Sequence, residues 1–565
     1  MLLLNPKKYN VEFPDKESKD MMLKTIEFFE KKGLKKVKED YHNRTWPKDF
    51  VDFQKEHKYF AKLLTPAGYG AKDNRWDTYR TFHWAELMGF YGIAYWYVWD
   101  VSMLGICPIW MGSNEELKHK AAKLLEDGEV FAFGLSEKEH GADIYSSDMM
   151  LYPQGEGTYK ANGDKYYIGN GNEAAMVSTF AKIADTNDYV FFTVNSKHKN
   201  YECIQNVVAH QNYVSEYAVH DYPITDADIS EKGPKAWDNM LNTVNVCKFN
   251  LGPGAVGIAT HAFYEAIEHA ANRNLYGKYV TDFPHVKQLL TDAYLRICAM
   301  KLFNLRAVDY MRTASAQDRR YLLYDPLCKM KVTREGEEVI NLLWDVIAAR
   351  GFEKEPYFEM ATEEIRMYPK LEGTVHVNMA LVVKFMTNYF FNPGQFPEIP
   401  AVTDDRNDSF LLNQGPTSGL SKIQFHDYNI AYNSKDLPNI NILKKQITVF
   451  KEFLAKATPT KAQSSDIDYL LAIGELMTVV AYGQLIIENA NIQKVEDDVL
   501  DMIFDVLVRD FSKYAVQLYQ KKSNSPEQLA YCMKMIMNPV PDMEKFMRVW
   551  EKWVYPMKSE YKMND

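Results

Sequence analysis

Cysteine is scarce in this chain of 565 residues, and the few copies are scattered. Cys107, Cys203, Cys247, Cys298, Cys328 and Cys532 never fall within four residues of one another. That spacing excludes CxxC zinc and redox motifs and offers no disulfide framework, so buried free thiols in a reducing compartment are expected. Positive charge is also short. The formal net charge is −10, which excludes a broad basic footprint for nucleic acid. Long hydrophobic runs are few. The opening MLLLNPKKYNVEF has only three consecutive apolar residues after Met1, no signal-peptide core, so a cytoplasmic location is expected. Tyr469–Ile487 is the most membrane-like stretch, yet it holds Glu475, Thr478 and Gln484. A span needs about 20 apolar residues, so this segment reads as a buried bundle helix. The histidines His83, His210, His220 and His285 show no metal spacing, and no metal site is expected. Internal repeats and low-complexity tracts are lacking.

What is present is ordinary globular material. Apolar residues make up 46% and charged residues 25%, and the 37 Tyr and 30 Phe argue against disorder. The aromatic-rich stretch Tyr79–Tyr97 reads as core packing, and the Lys31–Lys38 tract as a solvated helix face. Residues 1–128 form an expected N-terminal α-helical domain. Within it, Asn114 caps an amphipathic helix with Leu117, Ala121 and Leu124/Leu125 on one face. Residues 129–248 read as a middle β domain. Asn162-Gly163 predicts a hairpin turn, Tyr189–Val194 a buried strand, and Val244–Phe249 the last strand. Helical periodicity returns over 249–392, with Pro284–Arg312 as one long helix and Pro326–Ala349 as another that has proline in its first turn. Residues 393–440, rich in proline and glycine, form an irregular linker. A C-terminal helical extension over 441–565 follows, with helices near 441–457, 465–490, 496–521 and 541–554. The fold class is α+β multidomain.

Four short segments carry chemical character. The first is Phe131-Ala-Phe-Gly-Leu-Ser-Glu-Lys-Glu-His-Gly-Ala-Asp143, a strand leading into a polar turn. The second is Asn162-Gly-Asp-Lys-Tyr-Tyr-Ile-Gly-Asn-Gly171. The third runs from Gly252-Pro-Gly-Ala-Val-Gly-Ile-Ala259 to Ala271-Asn-Arg-Asn-Leu-Tyr-Gly-Lys278. Its Arg273 offers planar, multiple donors suited to phosphate. The fourth pairs Arg350-Gly-Phe352 with Leu371-Glu-Gly-Thr-Val-His376, placing Glu372 at a helix N-terminus, where the dipole alone would favour a carboxylate.

Taken together, in this order and spacing, the four segments resemble the acyl-CoA dehydrogenase family over residues 15–390. The resemblance implies a middle domain that is β-barrel-like, a C-terminal four-helix bundle and FAD as cofactor. It implies that Phe133, Leu135 and Ser136 lie against the flavin ring, with Tyr167, Ile168 and Gly169 beside them. Tyr167 replaces the family's usual tryptophan, and Gly169 replaces a threonine. Arg273, followed by Tyr276 in a phenylalanine position, is implied to meet the flavin diphosphate across a subunit interface. Gly351, Thr374 and His376 are further implied cofactor contacts. Substrate contacts are implied at Lys248, Gly373 and Ala142, the last in place of a usual serine. Glu372 is implied as the base that removes the α-proton of an acyl-CoA thioester while the β-hydride goes to flavin N5, giving a trans-2-enoyl-CoA in fatty acid β-oxidation. Cys247 occupies the position where some subfamilies carry that base, which strengthens Glu372. The implied partners are acyl-CoA, an electron-transferring flavoprotein and further copies of the chain in a homodimer or homotetramer. Two other readings stay open. An acyl-CoA oxidase, passing electrons to oxygen, is suggested by Glu139-His-Gly141. A low-turnover acyl-CoA/flavin-binding protein is suggested by the departures at Ala142, Gly169 and Pro284. In layout the extension resembles that of longer-chain members, some of which touch membranes.

Overall fold

The computed structural model describes residues 2–565 and divides into two compact units. One holds Val11–Asn250, Thr403–Ser418 and Asn564–Asp565. Its helices follow their sequence signals. Asn114 caps Glu115–Glu126 by accepting the Leu117 N–H at 3.0 Å, and Leu117, Ala121 and Leu125 are buried. Lys32 and Lys36, within the lysine tract, pair with Asp40 and Asp49. The helix Ile93–Met111 is buried on every side, as its all-round apolar character requires. Trp84, Tyr91, Tyr95 and Trp96 are buried with it, so the aromatic stretch is core. Gly105 lets this helix meet the sheet. A Cβ there would lie 2.6 Å from the Ala132 backbone nitrogen, and only glycine allows that approach.

Eight strands form the sheet: β1 (Phe131–Gly134), β2 (Met150–Gly155), β3 (Thr158–Gly169), β4 (Met176–Ile183), β5 (Tyr189–Val194), β6 (Tyr201–Asn206), β7 (Val214–Thr225) and β8 (Ile229–Lys232). Their order is β6-β7-β3-β2-β4-β5-β8, with β1 parallel to β4. β5 is buried as expected. Two local readings are corrected. Asn162-Gly163 is not a hairpin turn, because β3 runs through it. The ladder to β7 shifts register between Ala161 and Gly163, where Gly163 takes φ 138°, so the glycine marks a bulge. The hairpin turn is Glu156-Gly157, both in positive φ, with Gly155 facing Thr158. Val244–Phe249 is no strand either. It ends the helix Pro234–Cys247 and its short continuation, and Ala236, Met240, Thr243 and Cys247 are buried at helical spacing.

The other unit holds the chain's first ten residues, Leu251–Val402 and Gly419–Met563. Helices Leu251–Asn272, Pro284–Arg312 and Thr333–Ile347 pack together as a bundle. Helices Ile467–Gln493 and Asp497–Tyr519 of the extension pack against Pro284–Arg312. Ile467–Gln493 is long and apolar enough to cross a membrane, but 83% of its most apolar window is buried within the fold. Pro438–Lys456 completes this layer, and Pro526–Met535 is a helix the periodicity did not announce. Pro326 is not in a first turn. It lies inside the helix Tyr321–Leu327, which passes through a π-helical turn at Cys328–Val332 into Thr333–Ile347. A π turn absorbs the i→i−4 bond that an internal proline denies.

A buried polar cluster ties the bundle to the extension. Glu488 accepts from Arg306 Nε at 2.8 Å, Tyr310 at 2.9 Å and Gln484 at 2.8 Å. His426 Nε2 lies 3.1 Å from the same carboxylate, while its Nδ1 is 2.9 Å from the Arg320 guanidinium. Burial alone would raise Glu488, but the His426 hydrogen bond and Arg306 together bring it from 4.5 down to about 2. The folded value lies below the unfolded one, so the stabilisation is present above about pH 5 and fades as pH falls toward 2. In full it amounts to about 3 kcal/mol. Glu488→Gln is therefore expected to lower the urea midpoint at pH 7 and to converge on the wild type in acid. Parallel midpoint-versus-pH curves would refute this.

Candidate active site

The sheet unit carries the first two chemical segments. Phe133 and Leu135 pack against the apolar cluster of Phe180, Phe191, Ala236 and Met240, and the Phe133 ring stacks on Phe191 at 6.0 Å. Ser136 follows at the strand end, half-buried, and its carbonyl accepts the Tyr166 N–H at 2.9 Å, joining the first segment to the second. Tyr167 has φ 66° and is 62% exposed, while Ile168 beside it is buried. The loop after β1 is pinned from below by a buried ion pair. Lys165 donates to Glu137 at 2.7 Å and to the Leu135 carbonyl at 3.0 Å. Ser147 Oγ and the Asp148 N–H donate to the same carboxylate. Burial would raise Glu137, but Lys165 and these donors outweigh it and hold the carboxylate below its ordinary range. His140 and Asp148 lie near Glu137 in a grouping that resembles a metal site, yet the Glu137 oxygens are already engaged by Lys165, Ser147 and Asp148. Ala142 is exposed on this loop.

Gly169 is closed to any side chain. A Cβ there would lie 2.6 Å from Tyr97 Cε1 and 2.8 Å from Val101 Cγ2. Contact through this position is thus limited to backbone. Gly169→Thr is expected to cost about 1–3 kcal/mol by overpacking and to loosen bound flavin. Thermal denaturation would show it, with Tyr97→Ala restoring part of the loss. An unchanged melting temperature in the single variant would contradict the crowding. Lys248 is buried, 5% exposed, in the turn following Pro234–Cys247, and Cys247 Sγ lies 3.6 Å from Cys107 Sγ.

The bundle unit carries the other two. Glu372 and Gly373 form a left-handed pair at φ 50° and 84°. A non-glycine residue in that region costs on the order of 1–3 kcal/mol, and such strain gathers at functional sites. Thr374 then caps the helix Val375–Val382, and Asn378 Nδ2 clamps the turn through the Gly373 and Thr374 carbonyls at 3.3 and 3.0 Å. Glu372 is half-buried; Thr374 and His376 are exposed. The segment before Glu372 is held from the π turn, where the buried Lys329 ammonium donates to the Pro369 carbonyl. Thr374 and His376 both line a cavity of about 950 Å³. Arg273 and Arg350, distant in sequence, converge on His269: burial first, then Arg350 and Arg273, push its imidazole below the ordinary value. Tyr276, after Arg273, is 96% exposed, and Gly351 is buried against Trp344. The Glu137–Lys165 pair and Lys329 escaped sequence reading, although a charged residue at a core-facing strand position was a usable signal for Lys165.

These donors suit a flavin: a serine hydroxyl and strand-end N–H groups for ring heteroatoms, a threonine-capped helix start and convergent guanidiniums for a diphosphate. The comparisons agree with the class. Residues 235–387 match the family model of the acyl-CoA dehydrogenase C-terminal domain. The short-chain specific acyl-CoA dehydrogenase of Megasphaera elsdenii is 23% identical over 280 residues, which are 48% of this chain and 72% of that protein. The caffeyl-CoA reductase-Etf complex subunit CarC of Acetobacterium woodii is 22% identical over 300 residues, 52% of this chain and 77% of that one. Among solved structures, an acyl-CoA dehydrogenase complexed with FAD from Bacillus anthracis matches with a TM-score of 0.77 at 17% identity, covering 98% of this chain and 97% of its own. That coverage takes in the C-terminal extension. The chain belongs to the acyl-CoA dehydrogenase family of oxidoreductases.

Proposed function

We propose that this chain is an FAD-dependent acyl-CoA dehydrogenase that converts an acyl-CoA thioester to its trans-2-enoyl-CoA, with Glu372 as the base. The observation that carries this reading is the strained, clamped Glu372-Gly373 turn, where a half-buried carboxylate is held in place at a helix start. When bound, FAD supplies the two-electron oxidation. Ser136, Thr374, His376 and the strand-end backbone would hold it, and Tyr167 offers an aromatic face beside it. Glu372 removes the α-proton. The thioester oxygen, which gains negative charge as the proton leaves, is stabilised by backbone N–H donors at the Glu372 turn. Lys248 and Gly373 take the substrate side.

Electrons are proposed to leave to an electron-transferring flavoprotein, a reading supported by the Etf complex in the name of one relative. The exposure of Arg273 and Tyr276 supports a second copy of the chain as the neighbour they serve. An anaerobic titration of the purified protein with acyl-CoAs of graded length tests the reading. Bleaching of the flavin absorbance is expected, with the preferred length naming the substrate class. A protein that binds no FAD, or a bound flavin that no acyl-CoA reduces, would overturn it.

A further inference from the structure

The flavoprotein reading, on which the following inference rests, leaves the C-terminal extension without a role. The cavity at Thr374 and His376 gives it one. Besides those two residues, its wall includes Gln517, Gln520 and Lys522, at the end of helix Asp497–Tyr519 and just beyond. Most charges around it are already neutralised. Lys521 pairs with Asp468 at 2.6 Å, Lys370 with Glu337 at 2.7 Å, and Arg334 with Glu475. Lys522 is exposed and, among the described residues, has no ion-pair partner.

An unpaired ammonium, two carboxamides, a hydroxyl and an imidazole around one cavity form a donor set for phosphate oxygens, ribose hydroxyls and a heterocyclic base. A volume of about 950 Å³ is at the upper end for small-molecule sites, large enough for a nucleotide. An uncharged aromatic ring system would call for a more apolar lining. We propose that this cavity holds the adenosine diphosphate half of the flavin cofactor, and that Lys522 and Gln520 of the extension contact it within the same chain. The extension is then part of the cofactor site in addition to its packing on the bundle.

The test uses the full-length chain freed of flavin. ADP binding is followed by calorimetry and FAD binding by fluorescence quenching, in the wild type, Lys522→Glu, Gln520→Ala and Thr374→Ala. Residues 520 and 522 are exposed, so circular dichroism should report an intact fold. Lys522→Glu is expected to weaken ADP and FAD alike by about tenfold or more, and Gln520→Ala by less. Unchanged affinities in both extension variants, with FAD weakened in Thr374→Ala, would overturn the role of the extension and leave the flavoprotein reading standing. Weakened FAD with unchanged ADP would also overturn it, because the effect would not act through the ADP half. A wild-type chain that binds no FAD would remove both readings.

Discussion

Replacing Glu372 with glutamine is expected to leave FAD bound and to slow flavin reduction by acyl-CoA by about 10²–10⁴-fold, the range a positioned general base contributes. The α-hydrogen of a saturated thioester is a very weak acid, and a glutamate carboxylate at its ordinary pKa of about 4.3 is a weak base for it. Closing a carboxylate away from water makes it a stronger base, and a bound acyl chain would complete that closure here. Glutamine has nearly the same shape and removes only the basic oxygen. The left-handed turn and the Asn378 clamp should survive, because Asn378 bonds the Gly373 and Thr374 carbonyls and not the side chain of residue 372. Glu372→Asp keeps the base but withdraws it by one methylene, and misplacement of about 1 Å can cost about 10²-fold. Stopped-flow absorbance of the flavin separates the cases: binding spectra unchanged, reduction nearly lost in the glutamine variant and partly kept in the aspartate. Reduction by the glutamine variant at a rate close to wild type would remove Glu372 from the chemistry.

The parts of this molecule that could be read from sequence are those where a local pattern has one physical solution. Asn114 followed by an apolar face made a capped helix, and Pro284–Arg312 ran over its expected length. Asn162-Gly163 failed because the same glycine freedom serves a turn or a bulge, and the choice depends on the partner strand β7. Pro326 failed because proline at a first turn and proline beside a π turn look alike until the following helix is seen to continue. In the candidate site, Glu372 and Thr374 could be read because their segment is contiguous. The convergence of Arg273 and Arg350 on His269 could not, since 77 residues separate the two arginines in the chain. The cavity was the least legible feature, because its wall is assembled from residues near 334, 370, 470 and 520.

Removing the Asp510 carboxylate, as in Asp510→Ala, is expected to destabilise the bundle unit by about 3–5 kcal/mol, the usual cost of leaving a buried charge without its partner. Arg296 on Pro284–Arg312 meets Asp510 on Asp497–Tyr519 through two bonds of 2.9 Å and meets Glu335 at 2.6 Å. Lys331, from the π turn, pairs with Glu335 and lies 3.6 Å from Asp510. All four side chains are less than 10% exposed, and two cations face two anions. Burial would raise Asp510, but Arg296 and Lys331 outweigh it and hold the carboxylate well below its ordinary range. This contribution is therefore complete above the unfolded pKa of about 3.9 and lost only in strong acid. Alanine leaves one net positive charge in an apolar interior, with one side of the guanidinium unbonded. The Asp510→Asn variant keeps the shape and one acceptor and should lose less. The unit has many helices, so unfolding is read by two probes, far-ultraviolet circular dichroism for the whole and protease susceptibility of residues 497–519 for the extension. Early cleavage of that helix in the alanine variant would place the network at the joint between bundle and extension. A shift smaller than that of an ordinary surface substitution, about 0.5 kcal/mol, would mean that water reaches the site and that the four charges stabilise little.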